Sequence, residues 1–143
     1  MIFNNREDKF QSIAICSKKD IDITSHTKFC GASYISFAKS TFDSKIIRLL
    51  IIYKKHSLPI SNFCHWLGEF IFNNPVDIIL VDFNINALHE NNILLHVLSL
   101  YNQVVMKSTH ISGSLLDHVY ISKEFSRMIS VNIIDIYFSD HDA

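Results

Sequence analysis

Residues 44–84 read SKIIRLLIIYKKHSLPISNFCHWLGEFIFNNPVDIILVDFN, and this stretch decides the fold. Its first ten residues, 44–53, are apolar almost throughout, interrupted by Arg48. Such a run suits a strand buried on both faces at the centre of a layered structure. The period then changes. Ile60, Phe63, Cys64, Leu67, Phe70 and Ile71 recur at i, i+3, i+4 and i+7, the spacing of an amphipathic helix. Pro59 suits its first turn, and Asn73, Asn74 and Pro75 close it. Residues 76–81 (VDIILV) form a short apolar strand that runs into a polar loop, 82–90. Working outward, residues 10–16 and 30–38 are short, aromatic and β-branched, as strands are. A second helix is expected with Ile93, Leu94, Val97, Leu98 and Tyr101 on one face. Residues 115–121 and 128–138 supply two more strands. The order β-β-β-α-β-α-β-β predicts an α/β (α+β) sandwich with mixed sheets, not a simple Rossmann unit.

Composition narrows the function classes. The chain has 143 residues, of which 48% are hydrophobic and 19% charged. That is enough for one domain and too apolar for a charge-driven disordered region. No repeat or Pro/Gly/Ser linker divides residues 1–143. Thirteen Lys and Arg against 14 Asp and Glu leave no global basic field, so contact with nucleic acid requires a local site. Cys16, Cys30 and Cys64 are widely spaced and odd in number, which fits reduced thiols better than a disulfide framework. The polar start MIFNNREDKF is unlike a signal peptide, and no apolar run approaches the roughly 20 residues that span a bilayer. An intracellular protein, nuclear or cytoplasmic and without a membrane partner, is expected. Glycine is scarce: three residues, where average usage predicts roughly ten.

Three polar clusters sit where strands end. In Asp82-Phe83-Asn84, an extended chain would turn Asp82 and Asn84 toward one cleft; the plainer reading is an Asx turn. In Leu116-Asp117-His118-Val119-Tyr120, Asp117 interrupts an apolar strand, and His118 faces the other way. The plainer reading there is an exposed edge-strand aspartate. Ser139-Asp140-His141 follows an apolar run, and a nearby carboxylate can fix a histidine's tautomer and charge; the alternative is a frayed polar end. His110 and His118, eight residues apart, match no common zinc-ligand spacing and read as surface or core histidines. Trp66 and the phenylalanines are read as core.

In order, Tyr53 at a strand end, D-F-N, T-H followed by L-D-H-V-Y, and S-D-H resemble the endonuclease/exonuclease/phosphatase family, and within it the nuclease domains of retrotransposon-like elements. The resemblance covers about the last two-thirds of the chain. It implies a two-layer β-sandwich flanked by helices that cleaves phosphodiester bonds with Mg²⁺ (or Mn²⁺), on nucleic acid, with DNA preferred to RNA. By position it implies that Asp82 orients or deprotonates the attacking water and that Asn84 contacts the scissile phosphate. His141 would stabilise charge on the phosphate, Asp117 would orient His141, Asp140 would lie at the metal, and Tyr53 would bond the phosphate.

The sequence also departs from the family pattern. Val81 stands where the family has glycine before D-x-N. The asparagine and metal-binding glutamate motifs that normally lie well upstream have no counterpart. Glu7, in a polar segment, takes no role. Residues 1–143 therefore read as the carboxyl-side part of such a domain, incomplete at both ends. The alternative to a nuclease is a catalytically dead remnant acting as a scaffold, self-associating through uncovered sheet edges.

Overall fold

A computed structural model of the chain describes residues 2–3, 14–15, 33–42, 45–88, 92–134 and 139–141. Strands β1 (Ile2–Phe3) and β2 (Ala14–Ile15) form a separate antiparallel pair. The main sheet has five strands: β3 (Ser33–Phe42), β4 (Lys45–Lys54), β5 (Ile78–Asp82), β6 (Tyr101–Gln103) and β7 (Asp117–Ser122). Their order across the sheet is β3-β4-β5-β7-β6. β4 and β5 are parallel and every other neighbouring pair is antiparallel. The parallel pair needs a crossover, and helix α1 (Ile60–Asn73) provides it. The fold is α+β around a mixed sheet, as the sequence predicts.

Helix α1 forms where its apolar period lies. Phe63, Cys64, Leu67 and Phe70 are buried along one stripe. Pro59 stands at the N-cap, and its carbonyl accepts from Phe63 N at 3.1 Å. At the other end both Asn74 N and Asn74 Nδ2 donate to Phe70 O at 2.9 Å, satisfying a carbonyl that the terminating helix leaves open. The stripe packs on Leu50, Ile52, Ile79, Val81 and Phe83. Burying each of these large side chains stabilises the fold by about 1.5–3 kcal/mol.

The parallel register also explains Arg48, the break in the apolar run. Asp77, at the entry to β5, accepts from Arg48 N at 2.8 Å and pairs with its guanidinium at 3.6 Å. Asp77 N returns a bond to Arg48 O at 2.9 Å. A carboxylate that is 6% exposed is thereby satisfied.

Several expectations are corrected. β4 is fully buried on one face only: Leu50, Ile52 and Lys54 are buried, Leu49, Ile51 and Tyr53 are partly so, and the first two residues are exposed. Helix α2 (Asn92–Val97) has six residues and does not reach Tyr101. Tyr101 instead opens β6, where its hydroxyl donates to Val76 O at 2.9 Å, tying the short edge strand to the entry of β5. Residues 128–134 form no strand; a turn over 123–128 leads into irregular chain. The rest of that expected strand, 135–138, lies outside the described residues, as do 10–13, 16, Glu7, Cys16 and Cys30. Cys64 is a buried free thiol, and burial pushes its pKa up to about 11. Among the described residues no helix is long and apolar enough to cross a membrane.

Candidate active site

The register of the three central strands creates the site. Tyr53 on β4 lies directly opposite Asp82 on β5, which lies directly opposite Asp117 on β7. Side chains of directly paired residues project to the same face of a sheet. Tyr53, Asp82 and Asp117 therefore form one row across three strands, on the face away from α1. The alternating neighbours Val81 and His118, also paired, point into the core. Val81 thus serves as a packing residue under α1, and its side chain lies on the opposite face from Asp82.

Each acidic residue of the row is held by a local device. Asp82 Oδ1 accepts from Asn84 N at 2.9 Å, an Asx turn, and Asn84 takes a left-handed conformation with φ 53°. Asparagine tolerates that region better than most side chains. The chain does not stay extended through D-F-N, so Asn84 does not share a cleft with Asp82. Its Nδ2 turns back to donate to Lys54 O at 2.8 Å, stapling the end of β4 to the loop after β5. Between them Phe83 is wholly buried, edge-on to Phe63 and His118.

Asp117 is positioned by Thr109, which is buried. Thr109 Oγ1 accepts from Asp117 N at 3.0 Å and from Leu116 N at 3.2 Å. Thr109 is itself set by a tight turn: Thr109 N and His110 N both donate to Ser114 O, and Gly113 N donates to His110 O. The turn requires φ +79° at Gly113, a conformation that glycine adopts without strain. One of the chain's three glycines is therefore spent beside the site.

The segment 139–141 completes it. His141 forms a β-bridge with His110, and Ile111 N donates to Asp140 O at 3.0 Å. Ser139 Oγ accepts from His141 N at 3.1 Å, a local turn bond inside S-D-H. These contacts bring His141 Nδ1 to 2.7 Å from Asp117 Oδ2, where the ring N–H donates to the carboxylate. The donor atoms of Asp82, Asp117 and His141 all lie within 4.8 Å of one another.

The electrostatics follow from this packing. Burial pushes the Asp82 carboxyl above its ordinary range, and the Asp117 charge adds to the rise; the Asn84 N–H, His141 and His110 oppose it. Burial alone would lower the His141 pKa, but the hydrogen bond to Asp117 and the charges of Asp117, Asp82 and Asp140 carry it above the ordinary histidine value. The carboxylates of Asp117 and Asp82 thus favour the charged form of His141. His118 is the opposite case: burial lowers its pKa, and its ring bonds Ile85 O, Leu115 O and Tyr120 Oη in the core. It is a core histidine, one of the two readings, surface or core, that the sequence leaves open.

The site therefore gathers Tyr53, Asp82, Asp117 and His141, and leaves two expected members outside the cluster. The Asn84 amide is turned to Lys54 O. Asp140 is exposed, with Oδ2 3.7 Å from His110 Nε2, and groups with His110 and His141 rather than with Asp82 and Asp117. Thr109 and His110 were not expected at the site, and the signal for both is the T-H dipeptide that precedes L-D-H-V-Y. His110 is neither in the core nor a lone surface residue: its ring stands edge-on to His141 with centroids 5.0 Å apart.

Comparison with solved structures yields a fold-level likeness to the endonuclease domain of TRAS1, a telomere-specific non-LTR retrotransposon. The TM-score is 0.71 at 15% identity, over 86% of this chain and 64% of that one. The human nocturnin catalytic domain matches with a TM-score of 0.47 at 14% identity, over 85% of this chain and 54% of that one. A Bacteroides thetaiotaomicron mannosyl-6-phosphatase matches with a TM-score of 0.43 at 12% identity, over 64% and 42%. The chain thus spans less than two-thirds of the length of each. No protein-family model and no curated protein sequence matches the chain.

Proposed function

We propose that this chain, which has the endonuclease/exonuclease/phosphatase fold, carries the phosphate-binding part of a phosphodiester-hydrolase site acting on nucleic acid. The observation that carries this reading is the convergence of Asp82, Asp117 and His141 where β5 ends and β7 begins, with His141 held at 2.7 Å by Asp117. Hydrolysis of a phosphodiester requires an oriented water, positive charge or donors at the phosphate oxygens, and in-line geometry. Asp82, at the end of β5, orients the water and takes its proton. His141, kept protonated by Asp117, neutralises charge on a non-bridging oxygen. The Tyr53 hydroxyl, in the same row, donates to the phosphate. Asn84 acts by shaping the loop that presents Asp82.

The acidic donors fit a hard divalent cation, because Mg²⁺ binds through one or two carboxylates and otherwise keeps its water. Asp82 and Asp117 would hold it; when bound, Mg²⁺ would supply Lewis-acid polarisation of a phosphoryl oxygen. DNA is the substrate proposed first, by analogy with the TRAS1 endonuclease domain. The test is nicking of supercoiled plasmid in Mg²⁺ by the full chain. Cleavage is expected to fall 100-fold or more in Asp82→Ala, the usual size of a lost general base (about 10²–10⁴). Absence of cleavage above an Asp82→Ala/His141→Ala control refutes the reading for this chain.

A further inference from the structure

We propose that His110, Asp140 and His141 form a binding site for a borderline transition-metal cation, Zn²⁺ in the first instance, adjacent to and chemically distinct from the carboxylates of Asp82 and Asp117. The donor atoms of the three residues lie within 4.8 Å of one another. Ligands at about 2.0–2.1 Å in a tetrahedral zinc site stand roughly 3.3 Å apart. His110 Nε2 and Asp140 Oδ2, at 3.7 Å, are already close to that separation. Two imidazoles and one carboxylate, with a water in the fourth position, suit zinc, whereas Mg²⁺ selects oxygen donors.

The surroundings of His141 match a ligand role, and those of His110 allow one after a tautomer change. A metal-bound histidine nearly always has its second ring nitrogen hydrogen-bonded, which fixes the ring and raises its basicity. Here His141 Nδ1 is held by Asp117 Oδ2 at 2.7 Å, so a cation would take Nε2. His110 Nδ1 lies 2.7 Å from Ser112 Oγ, and Ser112 Oγ donates onward to Ser114 Oγ, so its lone pairs are free to accept from Nδ1–H. Ser112 N also points at His110 Nδ1, at 3.1 Å, so loading Nε2 reverses a tautomer that this bond favours. The two ligand segments are fixed to each other by the His110–His141 bridge and the Ile111 N to Asp140 O bond. The site is thus built on paired backbone.

Zinc binding here does not depend on the hydrolase reading. On that reading it has a consequence: a cation on His141 Nε2 removes the imidazole from the phosphate, and zinc inhibits in the presence of Mg²⁺. Binding is measured directly by calorimetric titration of the full chain with ZnCl₂ in excess MgCl₂. One zinc per chain is expected, with affinity weakened at least tenfold in His110→Ala and in Asp140→Asn, weakened also in Ser112→Ala, and retained in Asp82→Ala. Asp140 is exposed, so Asp140→Asn tests the site without disturbing the core. Unchanged affinity in His110→Ala or Asp140→Asn overturns the proposal, as it places the zinc elsewhere, for example on the exposed His65–Glu69 pair. Affinity lost in Asp82→Ala as strongly as in His110→Ala also overturns it. Zinc binding without plasmid cleavage leaves this site standing and refutes the hydrolase alone.

Discussion

Replacing Thr109 with valine removes one oxygen and keeps the side chain's shape. That oxygen accepts from two backbone donors, Asp117 N at 3.0 Å and Leu116 N at 3.2 Å, and the Thr109 side that carries it is buried. Valine presents a methyl group to both N–H groups and blocks water from reaching them. A buried donor left without an acceptor costs about 1–3 kcal/mol. Leu116 and Asp117 are only partly buried, so the lower half of that range applies to each donor, about 2–4 kcal/mol together. For a chain of this length, 1 kcal/mol moves Tm by roughly 3–4 °C, and Thr109→Val is expected to melt roughly 10 °C below wild type. Thr109→Ser keeps the oxygen and loses one methyl, about 0.8 kcal/mol. The assay is thermal unfolding followed by circular dichroism, with both variants side by side. The loss in Thr109→Val also lets the start of β7 shift, and with it Asp117, so plasmid cleavage falls more than stability requires under conditions where the variant is folded. A Thr109→Val melt within 2 °C of Thr109→Ser refutes the reasoning, because the two backbone donors would then have another acceptor.

Three further outcomes are expected. The folded pKa of Asp82 is raised by burial, so ionising it costs stability as pH rises above the unfolded value of 3.8 and through the folded pKa. Asp82→Asn keeps an acceptor for Asn84 N and loses the charge; its urea midpoint at pH 7 should exceed that of wild type, with the gap closing as pH falls toward 3.8, and a lower midpoint at pH 7 contradicts this. His141 has a raised folded pKa because Asp117 outweighs burial, so its contribution to stability is complete below the unfolded value of 6.5 and is lost as pH rises through the folded pKa. In Asp117→Asn, imidazole NMR should show the His141 pKa falling below its wild-type value; an unchanged titration would mean the 2.7 Å bond is not formed in solution. Phe83 is wholly buried against Phe63 and His118, so Phe83→Ala should lose about 3–5 kcal/mol in chemical denaturation. A loss below 1 kcal/mol would mean that this loop residue does not anchor the site.

What the sequence reveals depends on how local the determinant is. The period of α1 and the apolar runs of β4 and β5 are read directly, because burial on one face leaves a repeating mark. The row Tyr53–Asp82–Asp117 was suggested only by resemblance, since it depends on the register between three strands, and no local pattern encodes that. β6 was missed, and Tyr101 misplaced, because a three-residue edge strand has no period of its own and Leu94, Val97 and Leu98 continue naturally to Tyr101 at helical spacing. Asp82 and Asn84 were paired on the assumption of extended chain. The alternative Asx turn won because Asn84 accepts a left-handed φ and its amide has a strand-end carbonyl, Lys54 O, within reach. His110 could not be placed from spacing: its partners are 30 and 31 residues away, and only the bridge to His141 brings them together.

Three glycines in 143 residues leave the loops around the site few positions of conformational freedom. In the folded chain Asn84 takes one left-handed position and Gly113 another, and Val81, standing where a glycine was expected, faces the core. The loops that carry Asp82 and Asp117 are instead fixed by side-chain bonds to backbone. Asn86 Oδ1 accepts from both Leu88 N and Leu115 N, and Thr109 Oγ1 accepts from the start of β7. Groups fixed in this way before substrate arrives need little reorganisation when it does.

The central claim is that Asp117 and His141 act on the phosphate as one unit. Its most direct test is a double-mutant cycle on phosphodiester cleavage, with single-turnover rates measured in Mg²⁺ for wild type, Asp117→Asn, His141→Ala and the pair. Groups that act as a unit are strongly non-additive. The account predicts that wild type cleaves, that each single variant is slowed at least 10-fold, and that the double variant is no slower than His141→Ala. Losses that multiply across the two positions, or no cleavage by wild type, would contradict it.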